Sequence, residues 1–262
     1  MGRRAVARDL SRPLTLHCVA PAPVPARKHS PQPLSPSVAP VEPSPAAPST
    51  PWVLQTCGLG GQRGDRALFE GLDLQLAPGS VTWLRGRNGR GKTSLLRLLA
   101  GLSSPMAGSL HVAGRSLREG GPGWRRQWLY IGHQNALKDD LNASEALQFL
   151  AKLHGAPFSQ AEVEVALRRL GIFNRRHAPV RTLSQGQRRR VALARLVLQR
   201  ASPLWLLDEP FDALDSEGIA ALNSVISDHA AAGGCVLLTS HQPLTLNSPV
   251  PAVLDLEDHA PA

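Results

Sequence analysis

Eight consecutive residues, Gly86, Arg87, Asn88, Gly89, Arg90, Gly91, Lys92 and Thr93, restrict what this chain can become more than any other part of it. They fit G-x-x-x-x-G-K-[ST], and their surroundings matter as much as their order. Residues 80–85 read as a strand running into the loop, and residues 92–100 as an apolar helix closed by Gly101. The glycines permit turns at positive φ that aim successive backbone N–H groups inward, which makes an anion-binding nest. The helix that follows adds its positive N-terminal end. Lys92 is then placed to reach the β and γ phosphates of a nucleotide, and the Thr93 hydroxyl to bind magnesium. An ordinary glycine-rich turn needs neither the flanking strand nor the lysine at the helix start. The octapeptide reads as a phosphate loop for ATP and Mg2+.

A phosphate loop needs a carboxylate strand beside it. Leu204–Leu207 supplies four apolar residues, followed at once by Asp208 and Glu209. A buried strand ending in Asp208 would present a magnesium ligand, and Glu209 would face the γ-phosphate, where it can orient and deprotonate water. Two adjacent acids are otherwise a solvated turn, but a fully apolar strand leading into them argues against that. Upstream lie Leu183, Ser184, Gln185, Gly186 and Gln187, followed by a strongly helical stretch over 188–198. Serine and glycine just before a helix start form a second anion site, or no more than an ordinary N-cap. With one phosphate loop in the chain, a second such site suggests use in trans across a dimer.

Composition excludes several other classes. Residues 1–51 hold twelve of the 23 prolines and almost no large apolar side chain, so they cannot bury enough surface to order themselves. This segment is expected to be disordered, without the apolar core of a secretory signal. The net charge of +9 divides into +4 there, from six basic residues against Asp9 and Glu42, and +5 over the remainder. Outside Arg188, Arg189 and Arg190 there is no dense basic block, and no nucleic-acid partner is expected. No apolar run approaches the ~20 residues that cross a bilayer, so a span would come from another chain. Cys18, Cys57 and Cys235 are too scattered for a disulfide framework or a zinc site. From residue 52 strands alternate with helices, and 204–207 and 236–239 read as strands covered on both faces. Asn142 with Glu145, and Ser159 with Glu162, have capping-box spacing and open two helices ending near His154 and Leu170.

These motifs, in this order, resemble the ATP-binding cassette (ABC) family over nearly all of residues 52–250. The resemblance implies an α/β P-loop NTPase with a mostly parallel core sheet, an antiparallel β arm, and an all-helical insert at about 135–183. Residues 251–262 would be a short tail. It makes residues 183–187 the signature, with Ser184, Gly186 and Gln187 contacting nucleotide. It makes Gln134 the Q-loop glutamine, counted with both the catalytic groups and the magnesium ligands. Ala213, Leu214 and Asp215 resemble the D-loop, and His241, after the strand at 236–239, the switch histidine. A histidine there could donate to the γ-phosphate and report its loss. The family pattern implies a head-to-tail homodimer with two ATPs between phosphate loop and signature. Two departures stand out. Gln185 replaces the usual glycine, and Arg63 takes the place of the aromatic residue that stacks on adenine. A guanidinium can stack too, at roughly 1–3 kcal/mol per base, so modest ATP affinity with weak base selectivity is expected.

Within the family, residues 130–138, 188–196, 203–211 and 239–242 are similar to the ATPases of c-type cytochrome biogenesis, which are associated with haem export. That likeness implies integral membrane permease subunits, CcmB-like and CcmC-like, as partners, and a peripheral position on the cytoplasmic face of the bacterial inner membrane. There is no C-x-x-C-H or other haem-ligating pattern, so direct haem binding is not expected. Three other readings compete: the ATPase of another small exporter or importer, a non-transport cassette protein, and a non-hydrolysing module. Lys92, Asp208, Glu209 and His241 are all present, which weighs against the last.

Overall fold

The computed structural model describes residues 53–116, 128–153, 155, 157–246 and 248–261. The proline-rich segment 1–51 and His154 lie outside the described residues. A hairpin of β1 (Leu54–Arg63) and β2 (Arg66–Leu76) joins β4 (Ala107–Val112) and β5 (Arg115–Ser116) in an antiparallel sheet ordered β2-β1-β4-β5. A second sheet holds β3 (Val81–Arg85), β6 (Trp128–Ile131), β7 (Leu204–Leu207), β8 (Cys235–Thr239) and β9 (Ala252–Asp255). Its order is β6-β7-β8-β3-β9, and every pairing is parallel.

Why these strands are apolar throughout follows from what covers them. In β7, Trp205 and Leu207 face one core while Leu204 and Leu206 face another; in β8, Val236 and Leu238 oppose Cys235 and Leu237 in the same way. Successive side chains of a strand point to opposite faces, so burial on both sides demands an unbroken apolar run. One face is covered by α1 (Lys92–Leu99) and the antiparallel sheet. The other is covered by α2 (Ala143–Lys152), α3 (Gln160–Arg169), α4 (Gln185–Leu193), α5 (Arg195–Leu198) and α6 (Ser216–Ala231). In α1, Leu95, Leu96, Leu98 and Leu99 are all buried, and each fully buried leucine contributes roughly 1.5–3 kcal/mol.

Because the core sheet is parallel, the segments leaving its strands emerge at one edge. Ile131, Leu207, Leu238 and Trp83 stand in one row across β6, β7, β8 and β3. The residues just beyond that row are the phosphate loop after β3, Asp208 and Glu209 after β7, Ser240 and His241 after β8, and His133 and Gln134 after β6. With β8 between β7 and β3, the acids, the histidine and the loop become neighbours.

Two expectations are corrected. Residues 251–262 are not a tail beyond the domain: β9 pairs in parallel with β3, from Thr82↔Ala252 to Arg85↔Asp255, and a 3-10 turn, Leu256–His259, follows with Leu256 fully buried. The signature helix begins at Gln185 rather than after Gln187, because Ser184 and Gln187 form a reciprocal capping box, and it is interrupted at Ala194. Both capping boxes expected in the insert form, at Asn142/Glu145 and Ser159/Glu162. Replacing Asn142 by Ala leaves the N–H of Glu145 without its acceptor and should lower stability by about 1 kcal/mol. Urea denaturation should show this, with ATP affinity unchanged.

Candidate functional site

The phosphate loop folds as its glycines require. Gly86, Gly89 and Gly91 lie at φ 138°, 79° and 111°. Gly91 is the most constrained: besides its left-handed φ, a Cβ there would come within 3.0 Å of the Leu68 Cβ. It forms the N-cap of α1, and its carbonyl accepts from Leu95 N–H at 2.8 Å. The Lys92 ammonium donates to the Gly86 carbonyl at 2.7 Å and lies 3.4 Å from that of Arg87, so the loop's own oxygens hold it above the cradle. From outside, Arg87 N–H donates to Glu257 Oε1 at 2.9 Å, and Glu257 Oε2 lies 3.4 Å from Arg90 Nε.

The loop opens on a cavity of about 340 Å3. Its walls come from Arg87, Asn88, Gly89, Gly91, Lys92, Thr93 and Ser94 on one side, and from Asp208, Glu209 and His241 on the other. Arg63, at the end of β1, is exposed and stands with Leu68 at the same cavity, where the resemblance expected the base-stacking group.

The two acids are held by one hydroxyl. Thr239 Oγ1, fully buried at the end of β8, donates to Asp208 Oδ1 at 3.0 Å and accepts from Glu209 N–H at 2.7 Å. Asp208 is buried, and its Oδ2 has no hydrogen-bond partner. A buried carboxylate oxygen in that condition fits a cation better than any neutral neighbour. Among the described residues no three His, Cys, Asp or Glu side chains gather as a metal cage. A magnesium ion would therefore be completed by the Thr93 hydroxyl, water and phosphate oxygens, the habit of that ion.

Glu209 sits at φ 46°, a left-handed conformation rare for a residue with a side chain. Its Oε2 accepts from His241 N–H at 3.0 Å, and Oε1 lies 3.4 Å from His241 Nε2. Burial pushes the Glu209 carboxyl above the usual carboxylate range; His241 and Lys92 pull it down, and Asp212 pushes it up. Gln134 is not brought to the cavity. Its side chain is exposed, while its neighbour His133 reaches the wall. Arg189 fixes this loop from inside, donating to Gly132 O at 3.0 Å and Asn135 Oδ1 at 3.2 Å.

Ser184, Gly186 and Gln187 line a different cavity, of about 370 Å3, with Arg190, Ala213 and Asp215. It shares no lining residue with the first. Gly186 cannot be larger, since a Cβ would stand 2.5 Å from the Ala213 carbonyl oxygen. Arg190 is buried, donates to Leu170 O at 3.1 Å and forms an ion pair with Asp215. Hydrogen bonds from Gly218 N–H and from Arg190 hold the Asp215 carboxyl below its ordinary range.

Thr239 and Glu257 escaped the sequence reading. A polar residue closing an apolar strand was a visible signal for the first. Nothing local points to the second, because its contact spans 170 residues.

Comparison with known proteins identifies the family. The family described as ABC transporter matches residues 69–212. The chain belongs to the ABC transporter ATP-binding family. It is 46% identical over 212 residues to the cytochrome c biogenesis ATP-binding export protein CcmA of Aromatoleum aromaticum, covering 81% of this chain and 98% of that protein. It is 43% identical to the CcmA of Cupriavidus necator, over 83% of this chain and 93% of that protein. Among solved structures, a putative ABC transporter ATP-binding protein from Pyrococcus furiosus superposes with a TM-score of 0.69 at 22% identity, over 79% of this chain and 99% of that one. This likeness bears on the fold. The chain is thus an ATP-binding, ATP-hydrolysing subunit of an ABC transport complex.

The raised Glu209 carboxyl has a stability consequence whose sign is fixed. Its folded pKa lies above the unfolded one, so ionisation favours unfolding. The penalty is absent below the ordinary carboxylate range, where both states keep the proton, and complete above the raised folded value. Glu209→Gln should therefore raise the melting temperature at neutral pH. That gain should shrink towards zero as the pH falls through the carboxylate range, as read by calorimetry.

Proposed function

We propose that this chain energises haem export, or release of a haem chaperone, in c-type cytochrome biogenesis. In this reading it works as a homodimer on the cytoplasmic face of the bacterial inner membrane, against CcmB-like and CcmC-like membrane subunits. The assignment of pathway rests on 46% identity to a CcmA protein along 98% of its length. Among the described residues no helix is long and apolar enough to cross a membrane, so a peripheral subunit fits.

The observation that carries the mechanism is the separation of the two cavities on one chain. Neither has what the other holds: Lys92, Thr93 and the Asp208–Glu209 pair in one, the capped helix start with Ser184 and Gly186 in the other. A head-to-tail pair brings the signature of each copy to the phosphate loop of its partner and closes both at once.

Within such a site each group has a task its surroundings favour. Residues 86–93 cradle the phosphates with backbone N–H groups, and Lys92 turns from the Gly86 carbonyl to the β and γ oxygens. Thr93 and the unpartnered Oδ2 of Asp208 would hold a magnesium ion, which would supply charge neutralisation for the phosphates. Glu209 orients the attacking water and takes its proton, and its desolvated carboxyl is a stronger base for that burial. His241 touches Glu209 from the side and can donate Nε2–H to the γ-phosphate. Gln134 would enter only when its loop moves inward. Arg63 offers its guanidinium plane to the base.

Glu209→Gln should trap ATP and give a stable dimer by sedimentation, with hydrolysis lowered by about 100-fold or more. Full turnover by this variant would remove Glu209 as the base. For the pathway, the tagged chain extracted from membranes should co-purify with a CcmB-like permease, identified by mass spectrometry. Recovery of an unrelated permease would redirect the assignment.

A further inference from the structure

The run Arg188, Arg189, Arg190, the one dense basic block outside the N-terminal segment, is not a solvated face. Arg189 is only 3% exposed and Arg190 only 6%. Each of the three staples a different part of the chain. Arg188 donates to Leu183 O and Arg181 O, within its own segment. Arg190 reaches Leu170 O and Asp215. Arg189 alone reaches the acids' backbone. Its Nη2 donates to the carbonyls of Asp208 at 2.9 Å and Glu209 at 2.8 Å, with Nε at 3.4 Å from Pro210 O. On the other side of the fork, Nη1 donates to Gly132 O at 3.0 Å, Asn135 Oδ1 at 3.2 Å and His133 O at 3.5 Å.

We propose that Arg189 is a positioning residue that transmits the state of the signature to the catalytic carboxylate and to the loop carrying Gln134. Ser184 caps α4, and Arg189 stands five residues further along it, about 7.5 Å at 1.5 Å per residue. A guanidinium has five donors in one rigid plane, so its two edges cannot move independently. A shift of α4 is therefore passed to the peptide planes of Asp208 and Glu209 and, from the same group, to residues 132–135. Glu209 is the sensitive receiver. Its left-handed backbone is a conformation of order 1–3 kcal/mol above the common ones, pinned at N–H by Thr239 and at C=O by Arg189. Burial lowers the Arg189 pKa, and the charges of Asp212, Asp208 and Glu209 raise it. This inference rests on the shared-site reading above, in which a partner's nucleotide engages Ser184 and Gly186.

The test compares Arg189→Lys with the wild-type full-length chain. A lysine keeps the charge but cannot serve both edges of the fork. ATP affinity and KM should stay within about twofold, while kcat falls about tenfold or more, the scale of lost positioning. Arg189→Lys combined with Glu209→Gln should still dimerise with ATP. Asn135→Ala removes one acceptor of the fork and should lower kcat severalfold, with no further loss when added to Arg189→Lys. Wild-type kcat in Arg189→Lys overturns the proposal, and so does a parallel loss of kcat, ATP affinity and melting temperature. If Arg189→Lys does not fold, wild-type kcat in Asn135→Ala decides against it. Failure of Glu209→Gln alone to dimerise with ATP would overturn the shared-site reading and, with it, the transmission role.

Discussion

At the end of a strand buried on both faces, one hydroxyl binds both the Asp208 carboxylate and the backbone of Glu209. The Thr239 hydroxyl donates a hydrogen bond to Asp208 and accepts one from the Glu209 N–H, so β7 and β8 are joined at the point where apolar packing stops. An acid pair this deep would otherwise be poorly solvated or would swing outward. With the hydroxyl there, Asp208 keeps one oxygen unpartnered and Glu209 turns towards His241. The parallel order of the sheet matters for the same reason. Only with β8 between β7 and β3 can one threonine serve the acids beside the phosphate loop.

The second cavity obeys a different constraint, close approach of backbone. Gly186 lies against the Ala213 carbonyl, and Ala213 itself is in the left-handed region at φ 62°. The Arg190–Asp215 ion pair ties the signature helix to this turn. Signature and D-loop thus form one rigid corner, while Arg189, the adjacent residue, ties the same helix to the acids. Neighbouring arginines thus tie one helix to two places, Arg190 to Asp215 and Arg189 to the carbonyls of Asp208 and Glu209.

Much of this was legible in the sequence, and the reasons are local. The phosphate loop, the apolar run Leu204–Leu207 and the capping boxes are written in consecutive residues whose conformations follow from glycine freedom, strand burial and side-chain capping. What could not be read depends on distant partners. The residues of β9, Ala252–Asp255, are short and mixed in polarity, and only β3 makes them a strand. Gln134 was singled out by resemblance, yet its exposed place away from the cavity could not be read from its neighbours in sequence. Nothing in the run Arg188, Arg189, Arg190 shows that its last two members are buried.

Glu257 braces the phosphate loop across 170 residues of chain. On the ribosome the loop therefore emerges with its glycines and lysine in order but without its outer support. It remains so while the insert, the acids and β8 are made. Local turns form in far less time than such synthesis takes, whereas long-range pairings wait for their partner. The nascent chain thus carries a nucleotide cradle of the right sequence and incomplete geometry. The outer brace of that cradle can form only once Glu257 has been made.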